Sequence, residues 1–331
     1  MPDLALNQVI DSNRISSCTE LSPGRPVYLL VGHDGSSLVI KQELTIHASD
    51  PQNLDRALKN MAVVSPSATA EVLTLLEVLE LQSWVDLEHD VAQMTFRALD
   101  PNIQTLRNTL GQGGTWHKTN KLAGVQDLND AVARATQHAD KSGVRAIAAA
   151  LNRPNGLEAL GQIIAIDMFN GNHDRFDVSY VPNGQAVGVP NPRGGQFMAL
   201  VNLGNVILHI HNGALRPVGL DAYEAMGAFR DFSGGATPHG WSGLNLGATP
   251  AASTFRTNFS QDIVTDLEAA LGPRNRKIAF ATKRRLPTNA AARVLNGINV
   301  GALLLRQDLT ALRQANGASA GLLARMNSLN W

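Results

Sequence analysis

Between residues 26 and 43 the chain reads PVYLLVGHDGSSLVIKQE, two β-prone runs broken by one Asp34-Gly35 pair. Asp-Gly between apolar runs signals a hairpin, because a tight primed turn needs positive φ, which glycine accepts without steric cost. A third run, NRISSCTEL at 13 to 21, precedes it across the turn Ser22-Pro23-Gly24-Arg25. The amino-terminal part is therefore expected to be an antiparallel three-stranded meander, with one of the helices that follow packed on it.

Those helices are signalled twice. Asp50-Pro51 is an N-cap and first-turn proline opening a helix to about Met61, and Leu and Val recur at helical spacing from about Ser67 to Gln82. Residues 91 to 99 (VAQMTFRAL) read as a further strand, and GQGGTWHK at 111 to 118 as a glycine-rich turn entering an extended piece. From Asp127 the pattern becomes helical, through LNDAVARATQHA and GVRAIAAALN to LEALGQIIAIDMFNGN, whose apolar positions mark a buried helix ending at Asn170-Gly171-Asn172. Residues 179 to 198 read as an excursion, 198 to 221 as two strands turning at Asn212-Gly213, 227 to 247 as a mobile glycine-rich loop, and the chain from about Gln261 as helices.

Composition narrows the function classes. At 331 residues the chain is long enough for about two lobes. Lys plus Arg equals Asp plus Glu at 28 each, which argues against a broad basic surface for nucleic acid or anionic membranes. The single cysteine, Cys18, excludes an internal disulfide framework. No apolar run reaches membrane-span length, and MPDLALNQVIDSNR lacks the basic start and apolar core of a Sec signal, so a soluble protein is expected. G-x-S-x-G, a Walker loop and a dinucleotide G-x-G-x-x-G after a strand are all absent.

Three polar points stand at the ends of apolar elements: Asn170-Gly171-Asn172-His173-Asp174-Arg175-Phe176, Gly204-Asn205-Val206-Ile207-Leu208, and Gly219-Leu220-Asp221. Phosphoryl transfer needs a carboxylate to accept the proton of an attacking hydroxyl, plus an amide oxygen and a carboxylate to hold Mg²⁺ against a triphosphate. Asp174, Asn205 and Asp221 supply that inventory, and Lys41, after Val39-Ile40, can reach triphosphate oxygens from the meander. Asp167 stands seven residues before Asp174 and is expected to support its loop, with Arg175 in a structural role.

The ordered blocks VIK at 39 to 41, DMFNGNHDRF at 167 to 176, LGNVIL at 203 to 208 and VGLD at 218 to 221 resemble the protein-kinase-like superfamily. Within it the chain is similar to the divergent branch of the actin-fragmin kinase catalytic domain, and more distantly to secretory-pathway and phosphoinositide kinases. The resemblance implies an α+β, bilobal fold: a small β-rich amino-terminal lobe at 1 to 120 and a larger, mainly helical carboxy-terminal lobe at 121 to 331, hinged near Trp116 to Gln126. It implies Asp174 as catalytic base, Asn205 and Asp221 as metal ligands for Mg²⁺ or Mn²⁺, and Lys41 on the ATP phosphates. The Ser22 to Gly24 turn would lie over those phosphates, and Glu71 is favoured over Asp55 as the acid pairing Lys41. Two departures stand: Asp221 is followed by Ala-Tyr rather than Phe-Gly, and the sequence does not assign the residue that pairs Lys41; the turn also carries a single glycine.

The expected activity is γ-phosphoryl transfer to a protein Ser/Thr or other hydroxyl. The alternatives are an inactive pseudokinase-like binding module, or a kinase-fold enzyme performing AMP transfer or lipid phosphorylation. The low-aromatic, single-cysteine composition also resembles bacterial proteins delivered into host cells, which implies a host protein as substrate. The expected location is cytoplasmic, or a host cell reached without a Sec signal.

Overall fold

The computed structural model describes residues 2–21, 24, 26–43, 71–122, 124–173, 175–179, 199–211, 214–218, 240–271 and 286–331. The expected helix at 50 to 61 lies outside them. The chain divides into two compact units between Leu122 and Ala123.

The first unit is built on a five-stranded antiparallel sheet: β1 (Ile15–Glu20), β2 (Val27–Gly32), β3 (Ser37–Glu43), β4 (Glu71–Val72) and β5 (Thr115–Asn120), in the order β1-β2-β3-β5-β4. The meander is present, with a different hairpin turn. Gly32 N–H donates to Ser36 C=O (2.8 Å) around a three-residue loop in which only Gly35 takes positive φ (80°). Asp34 favours this loop by accepting the Ser36 N–H and hydroxyl (2.9 and 2.5 Å), an Asx turn that a two-residue primed turn does not offer.

Two helices, α1 (Leu75–Met94) and α2 (Pro101–Leu110), cover one face of this sheet. Strand alternation sends Cys18, Tyr28, Leu30, Leu38, Ile40 and Trp116 inward to meet Leu81, Trp84, Val85, Ile103 and Leu106. Two sequence expectations are corrected. The helix expected from Ser67 begins only at Leu75, after Glu71 and Val72 pair with β5, because Thr74 and Glu77 form a reciprocal capping box that fixes the start. Residues 91 to 99 are not a strand, since α1 continues to Met94 and a turn follows.

The second unit holds six helices among its described residues: α3 (Leu128–Gln137), α4 (Ser142–Asn152), α5 (Gly156–Asn170), α6 (Pro250–Leu271), α7 (Ala290–Gln314) and α8 (Ala320–Ser328). A three-stranded antiparallel sheet joins them: β6 (Val125–Asp127), β7 (Ile207–His211) and β8 (Ala214–Val218), with β7 in the centre. Most of the expected hinge therefore belongs to strands, β5 through Asn120 and β6 from Val125.

Helix α5 is the axis of this unit, every residue except Glu158 being buried. It lies against α7 at glycine-to-backbone distance: a Cβ on Gly297 would sit 2.1 Å from the Glu158 carbonyl oxygen, and one on Gly161 2.3 Å from that of Val294. Arg293 ties the same crossing by two hydrogen bonds to the Glu158 carboxylate, each 2.9 Å. Among the described residues no helix is long and apolar enough to cross a membrane.

Candidate active site

The carboxyl end of α5 is held from three directions. Gly171 adopts the left-handed conformation (φ 72°), which lets the Asn172 N–H turn back to the Asp167 carbonyl at 2.9 Å and end the helix. The Phe169 carbonyl, which the helix itself leaves unpaired, accepts from Trp241 Nε1 (2.8 Å) and Arg325 (3.1 Å), and Ser242 donates its hydroxyl to the Met168 carbonyl (2.7 Å). Arg325 lies 5.1 Å over the Trp241 ring, so a cation sits where the helix dipole is negative. Trp241 and Ser242 fall within the loop expected to be mobile, yet both are buried. Residues 219 to 239, with most of that loop, lie outside the described residues.

Beyond Gly171 the chain is fixed by a buried ion pair. Arg175 donates from Nε to Asp167 Oδ2 (2.9 Å) and from a terminal nitrogen to Oδ1 (2.8 Å), and Asn172 donates to Oδ1 at 3.3 Å. Asp167 is 0% exposed and Arg175 2%. Burial pushes the Asp167 carboxyl up from its ordinary value, against the charge and hydrogen bonds of Arg175 and the Asn172 amide. The backbone repeats the grip: the Arg175 carbonyl accepts from Val201 N–H (3.0 Å), Phe176 bridges Leu200, and Asp177 N–H donates to Ala199. Asp266 on α6 accepts the N–H groups of Ala199 and Leu200 (2.6 and 3.0 Å). Asp167 and Arg175 thus hold the turn, as the sequence suggested.

Asp174 lies outside the described residues, as do Ser22 and Asp221. Asn205 ends a single 3-10 turn, Leu203–Asn205, its N–H donating to Asn202 (3.2 Å). It lines, with Arg175, Phe176 and Val206, a cavity of about 10 Å³. That holds roughly one water and no larger ligand.

In the first unit, Lys41 is half-buried on β3 between Val27 and His117. Its neighbour Ile40 points into the helix-covered core, so Lys41 belongs to the opposite sheet face. Gly24 is exposed at φ 75° and donates to Glu20 (3.0 Å). Glu71 sits on β4 rather than on a helix, accepting Asn7 N–H on both oxygens (3.0 Å each) and lying 3.3 Å from Lys118 Nζ. Lys118 is opposite Ile40 in register, so Glu71 is engaged on the face away from Lys41. The expected pairing of Glu71 with Lys41 is not formed.

The sequence reading missed a buried pair on that face. Lys118 Nζ lies 2.6 Å from Glu77 Oε1 and donates to the Gln8 carbonyl at 2.6 Å, with both side chains nearly excluded from water. Burial opposes ionisation of Glu77, but the hydrogen bonds from Lys118 and Thr74, with the lysine charge, hold its carboxyl below the ordinary range. Trp116, an inward residue two positions earlier, was the available signal, since period-two alternation turns Lys118 the same way.

No protein-family model, curated protein or solved structure matches the chain.

Proposed function

We propose that the chain is an ATP-dependent phosphotransferase that passes the γ-phosphoryl group to a protein Ser/Thr or other hydroxyl. The observation that carries this reading is the buried Asp167–Arg175 pair, which fixes Arg175, the residue next to Asp174 in the sequence, against the end of α5. A buried ion pair is a weak stabiliser relative to apolar residues of the same volume, so its use here points to positional control of what the turn bears. On this reading the turn bears Asp174, the base that accepts the proton of the attacking hydroxyl, while Lys41 contacts the ATP phosphates.

The amide of Asn205 and the carboxylate of Asp221 are oxygen donors of the type Mg²⁺ and Mn²⁺ accept. When bound, the cation would offset triphosphate charge.

A second reading, a nucleotide-binding module without transfer, is favoured by one observation: Glu71 is held by Asn7 and Lys118 rather than by Lys41. Purified protein, labelled ATP with Mg²⁺ or Mn²⁺, and a cell lysate discriminate the two. Label incorporated above the Asp174→Ala background supports transfer. A rise in melting temperature with Mg-ATP that Asp221→Ala abolishes, without incorporation, supports the binding module. Neither signal would remove both readings.

A further inference from the structure

Helix α1 presents two apolar faces. One, with Leu81, Trp84 and Val85, is buried on the sheet. The other recurs at helical spacing through Leu76, Leu79, Leu87, Val91 and Met94, with Leu75 at its start and Phe96 just beyond its end. Leu75 is 76% exposed, Met94 70% and Phe96 99%. Each of these seven large apolar side chains is at least 42% exposed, and large exposed apolar patches of this kind mark interaction sites.

Charge decides what covers it. Helix α1 has no Lys or Arg; of its acids Glu77 is buried against Lys118 and Asp86 is paired with Arg107, so the negative charge at the exposed face rests on Glu88 and Asp90. Asp90 projects from the stripe with a side chain 67% exposed. A second copy would bring acids against acids, and an anionic bilayer would repel them.

We propose that this face of α1 docks a basic amphipathic helix of a partner protein, with apolar anchors along the Leu79–Leu87–Met94 line and Lys or Arg side chains meeting Asp90 and its neighbours. At 1.5 Å per residue, the 20 residues of α1 offer about 30 Å of contact. This site is independent of phosphotransfer.

The test uses the full chain and two synthetic 21-residue amphipathic helices, one Leu/Lys and one Leu/Glu, read by fluorescence anisotropy. The Leu/Lys peptide should bind at least tenfold more tightly than the Leu/Glu peptide. Asp90→Lys should weaken it severalfold, and Leu79→Ser with Leu87→Ser at least tenfold, in proteins whose thermal unfolding shows an intact fold. Equal binding to wild type and the double variant, or no binding, overturns the proposal. So does a concentration-dependent dimer that Leu87→Ser dissociates, or phosphatidylserine vesicle binding that the double variant loses.

Discussion

The Arg175 guanidinium and the Asp167 carboxylate make two hydrogen bonds, 2.9 and 2.8 Å, across eight positions of chain and out of reach of water. Removing one charge leaves the other buried and uncompensated. Asp167→Asn should therefore lower unfolding stability by about 3–5 kcal/mol, read as a fall in urea midpoint. Arg175→Lys keeps the charge but loses the fork and should cost less. A midpoint for Asp167→Asn within error of wild type would show that the pair does not hold the turn.

The Glu77–Lys118 pair predicts an acid limb. Because the folded carboxyl titrates below its ordinary value of 4.5, the unfolded state takes up the proton first. The stabilisation is fully present above that ordinary value and is lost as pH falls through the folded value. Glu158, lowered by Arg293, adds to the same limb. Glu77→Gln should be less stable at pH 7 by about 3 kcal/mol and show a shallower loss below pH 5. Chemical denaturation at pH 3 to 7 measures both, and parallel curves would refute the assignment.

The crossing of α5 and α7 leaves no room at Gly297, where an added Cβ would lie 2.1 Å from the Glu158 carbonyl oxygen. Gly297→Ala raises helix propensity by about 1 kcal/mol, yet forcing the helices apart should outweigh it, for a net loss of about 1–3 kcal/mol. Gly317→Ala meets chiefly the Leu312 side chain and serves as the comparison. A Gly297→Ala protein with a raised melting temperature would contradict this close approach.

What was legible followed from local pattern. The meander was readable from apolar runs and Gly35, and the end of α5 from Gly171, since both demand a particular backbone shape. The start of α1 was also written in the chain as Thr74-Leu-Leu-Glu77, a capping-box spacing that the wider Leu and Val periodicity obscured. The β-branched and aromatic residues of VAQMTFRAL suit a strand, but the helix upstream continues through Val91 to Met94. Which acid Lys118 meets was not legible, since Glu77 approaches from 41 positions away and only the packing of α1 on the sheet brings it there. The turn at Asp167 was readable because its partners lie within eight residues.

Cys18 supplies a reporter for the first unit. Its thiol is buried, and burial, then the charges of Asp100 and Glu20, push it up to about 12. Since the thiolate is the nucleophile, the native protein should react with a thiol reagent at pH 8 at least a hundredfold more slowly than the urea-unfolded chain. A native rate within tenfold of the unfolded rate would show that the strand opens readily.

The amino-terminal arm carries a consequence for synthesis. Asn7, Gln8, Ile10 and Ser12 are tied to Glu71, Lys118, Glu77 and Glu80, partners 64 to 110 positions downstream. A ribosome adding 5–20 residues per second delivers Lys118 roughly 5 to 20 s after the arm. The meander is made before either covering helix, and α1 and α2 follow within that interval while the Lys118 clasp comes last. The nascent chain would therefore expose Leu30, Leu38 and Ile40 to chaperones or to neighbouring chains until α1 and α2 have emerged to cover them, and the arm would stay unclasped until β5 inserts between β3 and β4.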